Sequence, residues 1–341
     1  MLLIKSNYSY NPIVKKAIFF FILIIPFCSF SQKKDSITNV VYFESMRDKF
    51  NLKLEFDNDI ETYEYNDLLS KYSVKPNTSL RTVLGFNYRF LGFKIGYSPK
   101  FLAPEDFDKK GETEVFKIST DIFIKRWVQT FEYSFVKGYY QEEIGNENSS
   151  TTNFTILPDL TTQVIKGKTS FVLNKNLSIR AIINQVEIQR KSAGSFVPSL
   201  SYEFFNLSDV NTLSKTQSFN FVFNANYIHT FVINKKWYAN LGVAPGVGVG
   251  INKLTEGEFD IVTKSNDLIV NFNSFVNLGY NSKNFYAGIS YELDASTPGK
   301  ESVVKYDSVR SIFNLSIGYR FNPPRFLEKS FDWVTEHTPL K

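Results

Sequence analysis

The sequence predicts an all-β protein, a transmembrane antiparallel up-and-down β-barrel of about 12 strands. Residues 216–250 carry the first observation, because an apolar row alternates with a mostly polar one in two segments joined by Asn234-Lys235-Lys236. The second observation is length, since both segments exceed the about 9–11 residues that a tilted strand needs to cross a bilayer. The third is an aromatic content of 16%, which suits aromatic girdles at the two membrane interfaces.

Residues 1–31 predict a cleaved secretory signal peptide. Lys5, Lys15 and Lys16 precede an apolar run from Ala17 to Cys28, and the small-residue segment Ser29-Phe30-Ser31 follows. The run is shorter than the roughly 18 residues expected of a transmembrane helix. Since Cys28 is the single cysteine, the exported chain has neither a disulfide nor a thiolate site.

The charge of the exported chain excludes one class of partner. Loss of residues 1–31 removes three lysines and no acids, which leaves 36 basic against 34 acidic residues, a net charge of +2. Proteins that bind nucleic acids cluster lysine and arginine on one surface, and no such cluster is present. We therefore expect no nucleic acid partner.

The remaining chain divides into a periplasmic N-terminal arm (32–49), an outer-membrane barrel (50–321) and a periplasmic C-terminal tail (322–341). Alternation continues through the barrel without a linker. Twelve strands are predicted, separated by five short turns and six long loops, as expected for short periplasmic turns and longer outer loops. Their segments are 50–57, 80–90, 91–97, 116–124, 131–135, a sixth ending at 173, 177–183, 219–231, 237–249, 268–280, 285–291 and 309–321.

One segment does not fit this alternation. Residues 196–206 have the pattern of a thirteenth strand, but that strand would place the short Asn234 turn on the same side as the long loops. We therefore assign 192–206 to the fourth outer loop, without a role. Residues 58–79 form the first outer loop on the same reasoning, with Glu61, Glu64 and Asp67 as solvated charges or as ligands bridging lipopolysaccharide.

The tail after Pro323 and Pro324 has scattered apolar residues in a charged segment. These residues are Phe326, Leu327, Phe331, Trp333 and Val334. Two interpretations remain open. The tail docks on the periplasmic mouth of the barrel or on a periplasmic partner, or it is a disordered terminus.

The polar rows predict the lining of the lumen. Ten basic residues are candidates for this face, against the four acids Glu55, Asp121, Glu132 and Glu292. The ten are Lys53, Arg81, Arg89, Lys94, Lys117, Lys166, Lys168, Arg180, Arg310 and Arg320. A basic lumen would attract anions, whereas a plugged interior would pair these charges, and both alternatives stay open.

No catalytic, metal or cofactor site is predicted. Only two histidines are available for a hydrolase: His229 lies on the apolar row of its strand and His337 lies in the tail. The segment from Asp106 to Lys117 resembles a calcium loop, but Lys110 and Lys117 stand where ligands belong. We expect a protein that is not an enzyme.

Three segments resemble an uncharacterised family of Gram-negative outer-membrane β-barrels that is classed as a domain of unknown function. They are, in chain order, Gly138-Tyr139-Tyr140, 189–196 (Gln-Arg-Lys-Ser-Ala-Gly-Ser-Phe) and Gly318-Tyr319-Arg320-Phe321. The resemblance covers most of the exported chain. It implies the barrel and its compartment and supplies no catalytic or binding residues.

Three functional classes follow from these observations. A passive channel or binding barrel for small anionic solutes is slightly favoured over a structural or surface-interaction barrel, and a barrel-embedded hydrolase is the third. Expected partners are outer-membrane lipid, lipopolysaccharide and the machinery that inserts barrels. The sequence specifies neither the ligand nor the oligomeric state.

Overall fold

The structure is a computed structural model that describes residues 41–66, 71–78, 80–99, 106–144, 154–211, 213–257, 259–298, 306–338 and 340. The predicted signal peptide (1–31) and residues 32–40 of the predicted arm lie outside these ranges. The described chain folds into a closed antiparallel barrel, and its wall contains 12 strands, the number that the sequence predicts, and, in addition, the five-residue strand β3.

Three helices accompany the strands in the described ranges: α1 (Phe107–Lys110), α2 (Ile179–Ile183) and α3 (Arg325–His337). None of the helices in the described ranges is long and apolar enough to cross a membrane. The strands are β1 (Phe43–Ser45), β2 (Phe50–Asn66), β3 (Lys71–Lys75), β4 (Arg81–Tyr88), β5 (Leu91–Tyr97), β6 (Glu114–Ile124), β7 (Trp127–Ile144), β8 (Phe154–Phe171), β9 (Glu187–Gln189), β10 (Ala193–Asp209), β11 (Ser214–Ile233), β12 (Trp237–Glu256), β13 (Ile261–Asn281), β14 (Phe285–Pro298) and β15 (Tyr306–Phe321).

The barrel closes between its first and last long strands. β2 pairs antiparallel with β15 from Phe50 opposite Phe321 upward, and the other wall strands follow in sequence order. We call the end that carries Phe50 and Phe321 the terminal end, and the opposite end the loop end. Closure leaves no unpaired edge in the wall, which a bilayer requires of any spanning sheet.

On one side of the barrel the number of wall strands differs between the two ends. At the terminal end the short strands β4, β5 and β6 lie between β2 and β7, whereas at the loop end β3 alone pairs with both β2 and β7. The loop end is therefore narrower than the terminal end, because one five-residue strand replaces three there.

Gly138 lies where β7 changes partner from β6 to β3. Its φ is +90° and the pairing of β7 with β8 shifts register across it. A Cβ on this residue would overlap the Glu112 carbonyl oxygen, so the close approach of segment 111–113 requires glycine. The Thr113 hydroxyl donates to the Gly138 carbonyl at 2.7 Å and completes the junction.

We expect Gly138→Ala to lower the free energy of unfolding by about 1–3 kcal/mol, because it combines a left-handed backbone with a clash. Gly257→Ala is the matched control: its φ is +73° but no atom lies within 4 Å of the added Cβ. Urea titration of both variants in detergent micelles measures the difference. A larger loss at Gly257 would contradict the role of the close approach.

The predicted hairpin of residues 216–250 is confirmed, as is the face that it presents outward. Phe219, Phe221 and Phe223 are exposed on the exterior, whereas Asn224 and Asn226 of the same strand are buried inside. The turn places Asn234 and Lys235 at positive φ (51° and 60°), as a tight hairpin requires. Exposed apolar side chains continue around the barrel on all wall strands except β3 and form what we call the apolar belt.

The predicted seventh strand is wrong. Residues 177–183 contain α2, whose N-cap Ser178 accepts a hydrogen bond from the Ala181 amide at 3.0 Å. The wall strand is β10 (Ala193–Asp209), so the segment assigned to an outer loop, 192–206, lies almost wholly in the wall. The number of strands survives because one segment replaces the other.

The predicted first outer loop, 58–79, is also wrong over most of its length. β2 continues to Asn66 and β3 covers Lys71–Lys75, so Asp59 and Glu61 are strand residues rather than loop charges. Asp67 lies outside the described residues.

Candidate functional site

The inward row of β2 carries alternating residues from the terminal end upward: Asn51, Lys53, Glu55, Asp57, Asp59, Glu61 and Tyr63. Alternation directs each of these side chains to the same face of the strand. A single strand thus supplies five charged side chains to the lumen, and other wall strands supply side chains of opposite charge that pair with its acids.

Asp59 is the centre of the largest charge cluster. Its carboxylate accepts hydrogen bonds from Arg310 at 2.7 and 2.6 Å and from Arg81 at 3.1 Å, and the Lys117 amine lies 3.4 Å away. Arg81 also binds Asp57 through two hydrogen bonds of 2.8 Å. Bidentate pairs of this kind fix both the geometry and the charge of the partners.

Two smaller pairs flank the cluster. Towards the terminal end, Glu55 pairs with Lys53 and lies 3.5 Å from the Lys94 amine. On the far wall, the Lys166 amine contacts Glu203 at 3.0 Å, and the Asn220 amide donates to the same carboxylate at 3.2 Å. The charges of these strands are thus largely neutralised within the wall.

The wall made by β11 to β15 is lined by amides instead. Eight asparagines face the cavity: Asn220, Asn224, Asn226, Asn252, Asn271, Asn273, Asn277 and Asn314. The Asn273 amide donates to Glu292 at 2.7 Å and the Asn271 amide donates to Asp294 at 2.6 Å. This wall therefore presents hydrogen-bond donors and acceptors with two carboxylates among them.

Lys168 projects from β8 towards this amide wall. Among the described residues it has no carboxylate within ion-pair distance, and the carboxylates that act on it through space are those of Glu292 and Asp294. It is the single cavity-lining base of the described chain without an ion pair. The two walls leave a cavity of about 580 Å³ between them.

Residues 172–192, which we call the plug, fill the terminal end of the lumen. α2 forms the floor of the cavity, and Ile179, Ile182 and Ile183 line it. Below α2, β9 pairs with β1 of the N-terminal arm. Apolar contacts hold the plug against wall residues Phe123, Val128 and Ile228, all buried.

Polar contacts anchor the plug to the wall at a few backbone carbonyls. The Arg320 guanidinium donates to the Gln185 carbonyl at 2.9 Å and to the Asn281 side chain at 2.7 Å. The Asn51 amide donates to the Asn184 carbonyl at 2.8 Å, and its oxygen accepts from Tyr286 at 2.6 Å. Arg320 is 2% exposed, so these bonds are shielded from water.

Other polar atoms between plug and wall are less well satisfied. Both side-chain atoms of Asn87 and Asn184, and two nitrogens of Arg180, are buried without a hydrogen-bond partner in the described part of the chain. Burial lowers the pKa of the Arg180 guanidinium, and the Glu187 carboxylate at 3.8 Å opposes that shift. Buried atoms without partners carry a desolvation cost, so this interface is weaker than the bonded wall around it.

An aromatic constriction narrows the loop end. Tyr63, Tyr139 and Phe205 lie on different strands, yet the Tyr63 ring is 6.3 Å from Tyr139 and 5.9 Å from Phe205, centroid to centroid. All three are buried. The Tyr139 and Thr162 hydroxyls are bonded at 2.6 Å. The charged cavity therefore lies between an aromatic constriction and a plug.

Seven of the ten predicted lumen bases line the cavity: Lys53, Arg81, Lys94, Lys117, Lys166, Lys168 and Arg310. Arg180 and Arg320 lie in the plug and at its anchor. Arg89 is at the β4–β5 turn and pairs with Asp332 of α3 at 2.7 Å.

Acids that the prediction omitted also face the cavity. Eight carboxylates line it, against seven bases: Glu55, Asp57, Glu61, Asp121, Glu132, Glu203, Glu292 and Asp294. Asp59 adds a ninth, bonded to three of the bases. The described lumen thus has no surplus of base. The sequence prediction omits Asp59 and Glu61 because it places residues 58–79 in a loop.

Neither histidine reaches the cavity. His229 lies on the outward row of β11 with its ring 4.3 Å from Phe231, and His337 stacks on Trp333 at 4.9 Å. No cluster of three or more metal-ligating side chains occurs in the described ranges.

The model of a family described as a domain of unknown function, DUF4421, matches residues 33–321. This match confirms the resemblance noted from the sequence. No curated protein matches the chain.

Solved outer-membrane barrels are similar at low identity. The β-domain of the Bordetella autotransporter BrkA has 10% identity and a TM-score of 0.43, covering 80% of this chain and 100% of its own. The outer-membrane protease OmpT of Escherichia coli has 6% identity and a TM-score of 0.38, covering 85% and 100%. The translocator domain of NalP from Neisseria meningitidis has 7% identity and a TM-score of 0.35, covering 90% and 96%. Likeness at this level says nothing about activity.

Proposed function

Because the chain belongs to the DUF4421 family, whose description names no activity, we propose a function from the lumen alone: an outer-membrane barrel that binds small hydrophilic solutes and passes them when its plug moves. The observation that supports it best is a cavity of about 580 Å³ lined by charged and amide side chains. A volume of that size accommodates a small ligand.

The apolar belt supports the membrane location. Large apolar side chains on the outward rows are 36–60% exposed on most wall strands, among them Leu84, Phe221, Val270 and Leu315. Soluble proteins rarely expose a continuous apolar surface of this extent. With a polar interior and no free edge in the wall, the barrel has the distribution of polarity that a bilayer stabilises.

The lining indicates neutral or zwitterionic solutes rather than anions. Seven bases face eight carboxylates, and six of the bases are already paired. The free amine of Lys168 opposite Glu292 and Asp294 offers both signs of charge, and the asparagine wall offers hydrogen bonds of both senses. A solute with donors and acceptors on both sides matches these groups.

The plug supports a gated passage over an open pore. Its anchors converge on Arg320 and Asn51, while several neighbouring polar atoms are unbonded in the described chain. Displacement of the plug therefore breaks fewer hydrogen bonds than separation of two wall strands would. The charged and amide lining supports binding and passage, and we do not propose hydrolysis in the barrel.

We expect Arg320→Ala to raise the single-channel conductance severalfold over wild type in planar bilayers, because it removes the anchor to the Gln185 carbonyl of the plug. Arg89→Ala is the control, since Arg89 at the β4–β5 turn pairs with Asp332 of α3 outside the lumen and is expected to leave the conductance unchanged. A closed wild type with an equally closed Arg320→Ala variant would contradict gating by the plug.

Selectivity tests the binding groups. In the conducting Arg320→Ala background, Lys168→Gln is expected to shift the reversal potential towards cation preference. The substitution removes the unpaired positive charge of Lys168 from a lumen that is already rich in carboxylates. Arg89→Gln removes the same charge outside the lumen and is expected to leave the potential unchanged. If neither wild type nor any variant conducts or takes up solute in vesicle-swelling assays, the barrel has a structural or surface-interaction role instead.

A further inference from the structure

The C-terminal helix α3 packs on the outside of the barrel at its terminal end. The Phe331 ring lies 4.9 Å from Tyr88 and 5.2 Å from Phe90, centroid to centroid. Arg89, between those two aromatics, pairs with Asp332 at 2.7 Å. The helix is therefore held to the β4–β5 turn by one aromatic wedge and one ion pair.

The residue that α3 covers belongs to the apolar belt. Tyr88 follows Leu84 and Phe86 on the outward row of β4, where those two are 42% and 37% exposed. Tyr88 is only 3% exposed, because Phe331 lies over it. α3 therefore contacts β4 at the point where the exposed apolar belt of that strand ends, so the surface of the helix continues the surface of the belt.

A second apolar side of α3 is left uncovered. Phe326 and Trp333 are 72% and 63% exposed. They are seven residues apart and so lie on one side of the helix. Arg325, Lys329 and Glu336 lie on another side and are exposed too. Tryptophan and phenylalanine on one flank of an amphipathic helix are typical of helices that lie in a membrane interface.

Aromatic residues of the wall mark the level of that interface. Phe50 and Phe321 lie 5.2 Å apart at the terminal end, and Tyr319 is stacked near Phe321 at 6.4 Å. α3 starts four residues after Phe321. The helix must therefore begin close to this girdle, since the four Cα–Cα steps from Phe321 to Arg325 span at most about 14 Å.

We propose that α3 is an interfacial helix: Phe326 and Trp333 insert at the boundary between headgroups and acyl chains of the leaflet at the terminal end. The occupant of the exposed flank is the phospholipid surface itself. Phe331 and the Arg89–Asp332 pair orient the helix so that this flank faces the bilayer. The proposal requires the barrel to span a membrane, but it is independent of any solute.

Tryptophan fluorescence tests the proposal in the full chain. With Trp127→Phe and Trp237→Phe, Trp333 is the single tryptophan. In phosphatidylethanolamine and phosphatidylglycerol vesicles with brominated acyl chains, its emission is expected to be quenched, more strongly by bromine near the carbonyl than by bromine near the chain end. Adding Phe326→Glu is expected to abolish most of the quenching, and Glu336→Gln to leave it intact.

A second single-tryptophan protein, which keeps Trp237 on the apolar belt (55% exposed), separates the possible failures. Quenching of Trp237 without quenching of Trp333 would overturn the proposal and leave a periplasmic protein or a second copy as the occupant. Quenching of neither would show that the barrel itself is not inserted, which overturns the membrane location as well. Quenching of Trp333 that persists unchanged in Phe326→Glu would also contradict the insertion of this flank.

Discussion

Asp59→Asn is expected to lower the free energy of unfolding by about 3–5 kcal/mol, because removal of one partner from a buried ion cluster leaves the others uncompensated. The Asp59 carboxylate neutralises Arg81, Lys117 and Arg310 and is only 10% exposed. The amide of asparagine keeps the size of the side chain but loses its charge and half of its acceptor capacity. Urea titration of the barrel in micelles measures the change, with the folded fraction read at each urea concentration from the heat-modifiable mobility on gels.

Asp159→Asn makes the same chemical change in an exposed pair. Asp159 lies 3.3 Å from the Lys137 amine, and both side chains are at least 40% exposed. Exposed pairs contribute about 0–1 kcal/mol, so this variant is expected to be nearly as stable as wild type. Equal losses at positions 59 and 159 would mean that the lumen is as well hydrated as the surface.

Much of the wall could be predicted from alternation because the bilayer imposes it. Wherever a strand crosses lipid, its outward row must be apolar, and the rows around Phe86, Phe131, Leu241 and Leu315 are accordingly apolar in the sequence and exposed in the structure. The face and register of these strands follow directly, since a shift of one residue would reverse them.

The same signal fades where β2 leaves the belt. In residues 58–66 the outward row is polar apart from Ile60, because outward positions such as Asn58 and Thr62 are not required to be apolar there. The alternation of apolar and polar residues cannot be recognised there, and the sequence predicts a loop instead. Glu61 was lost from the count of lumen acids with it, and Asp59 from the charge cluster.

The plug was missed for a different reason. Leu177, Ile179, Ala181 and Ile183 alternate over seven residues, a length at which a strand and a short helix give the same pattern. Ser178 as a cap was the available signal. The true strand, β10, has a strand pattern over 196–206, but counting it in addition to 177–183 would place the short Asn234 turn on the same side as the long loops. Pairing of β1 with β9 across more than 140 residues has no local signal.

Phe223→Arg is expected to destabilise the barrel by about 2–4 kcal/mol, the cost of a cation on the lipid-facing side near the bilayer midplane. Phe223 lies in the middle of the 20-residue strand β11 and is 53% exposed on its outward row. Phe231→Arg makes the same change on the same row close to the terminal end, where the side chain reaches the interface and the expected cost is about 0–1 kcal/mol. Unfolding of both variants in lipid vesicles gives the two values. The difference between them reports depth in the bilayer, because the residues share their strand, face and chemistry. Two equal costs would contradict a belt embedded in lipid, and a smaller cost at position 223 would place the midplane nearer to the terminal end than the exposed rows indicate.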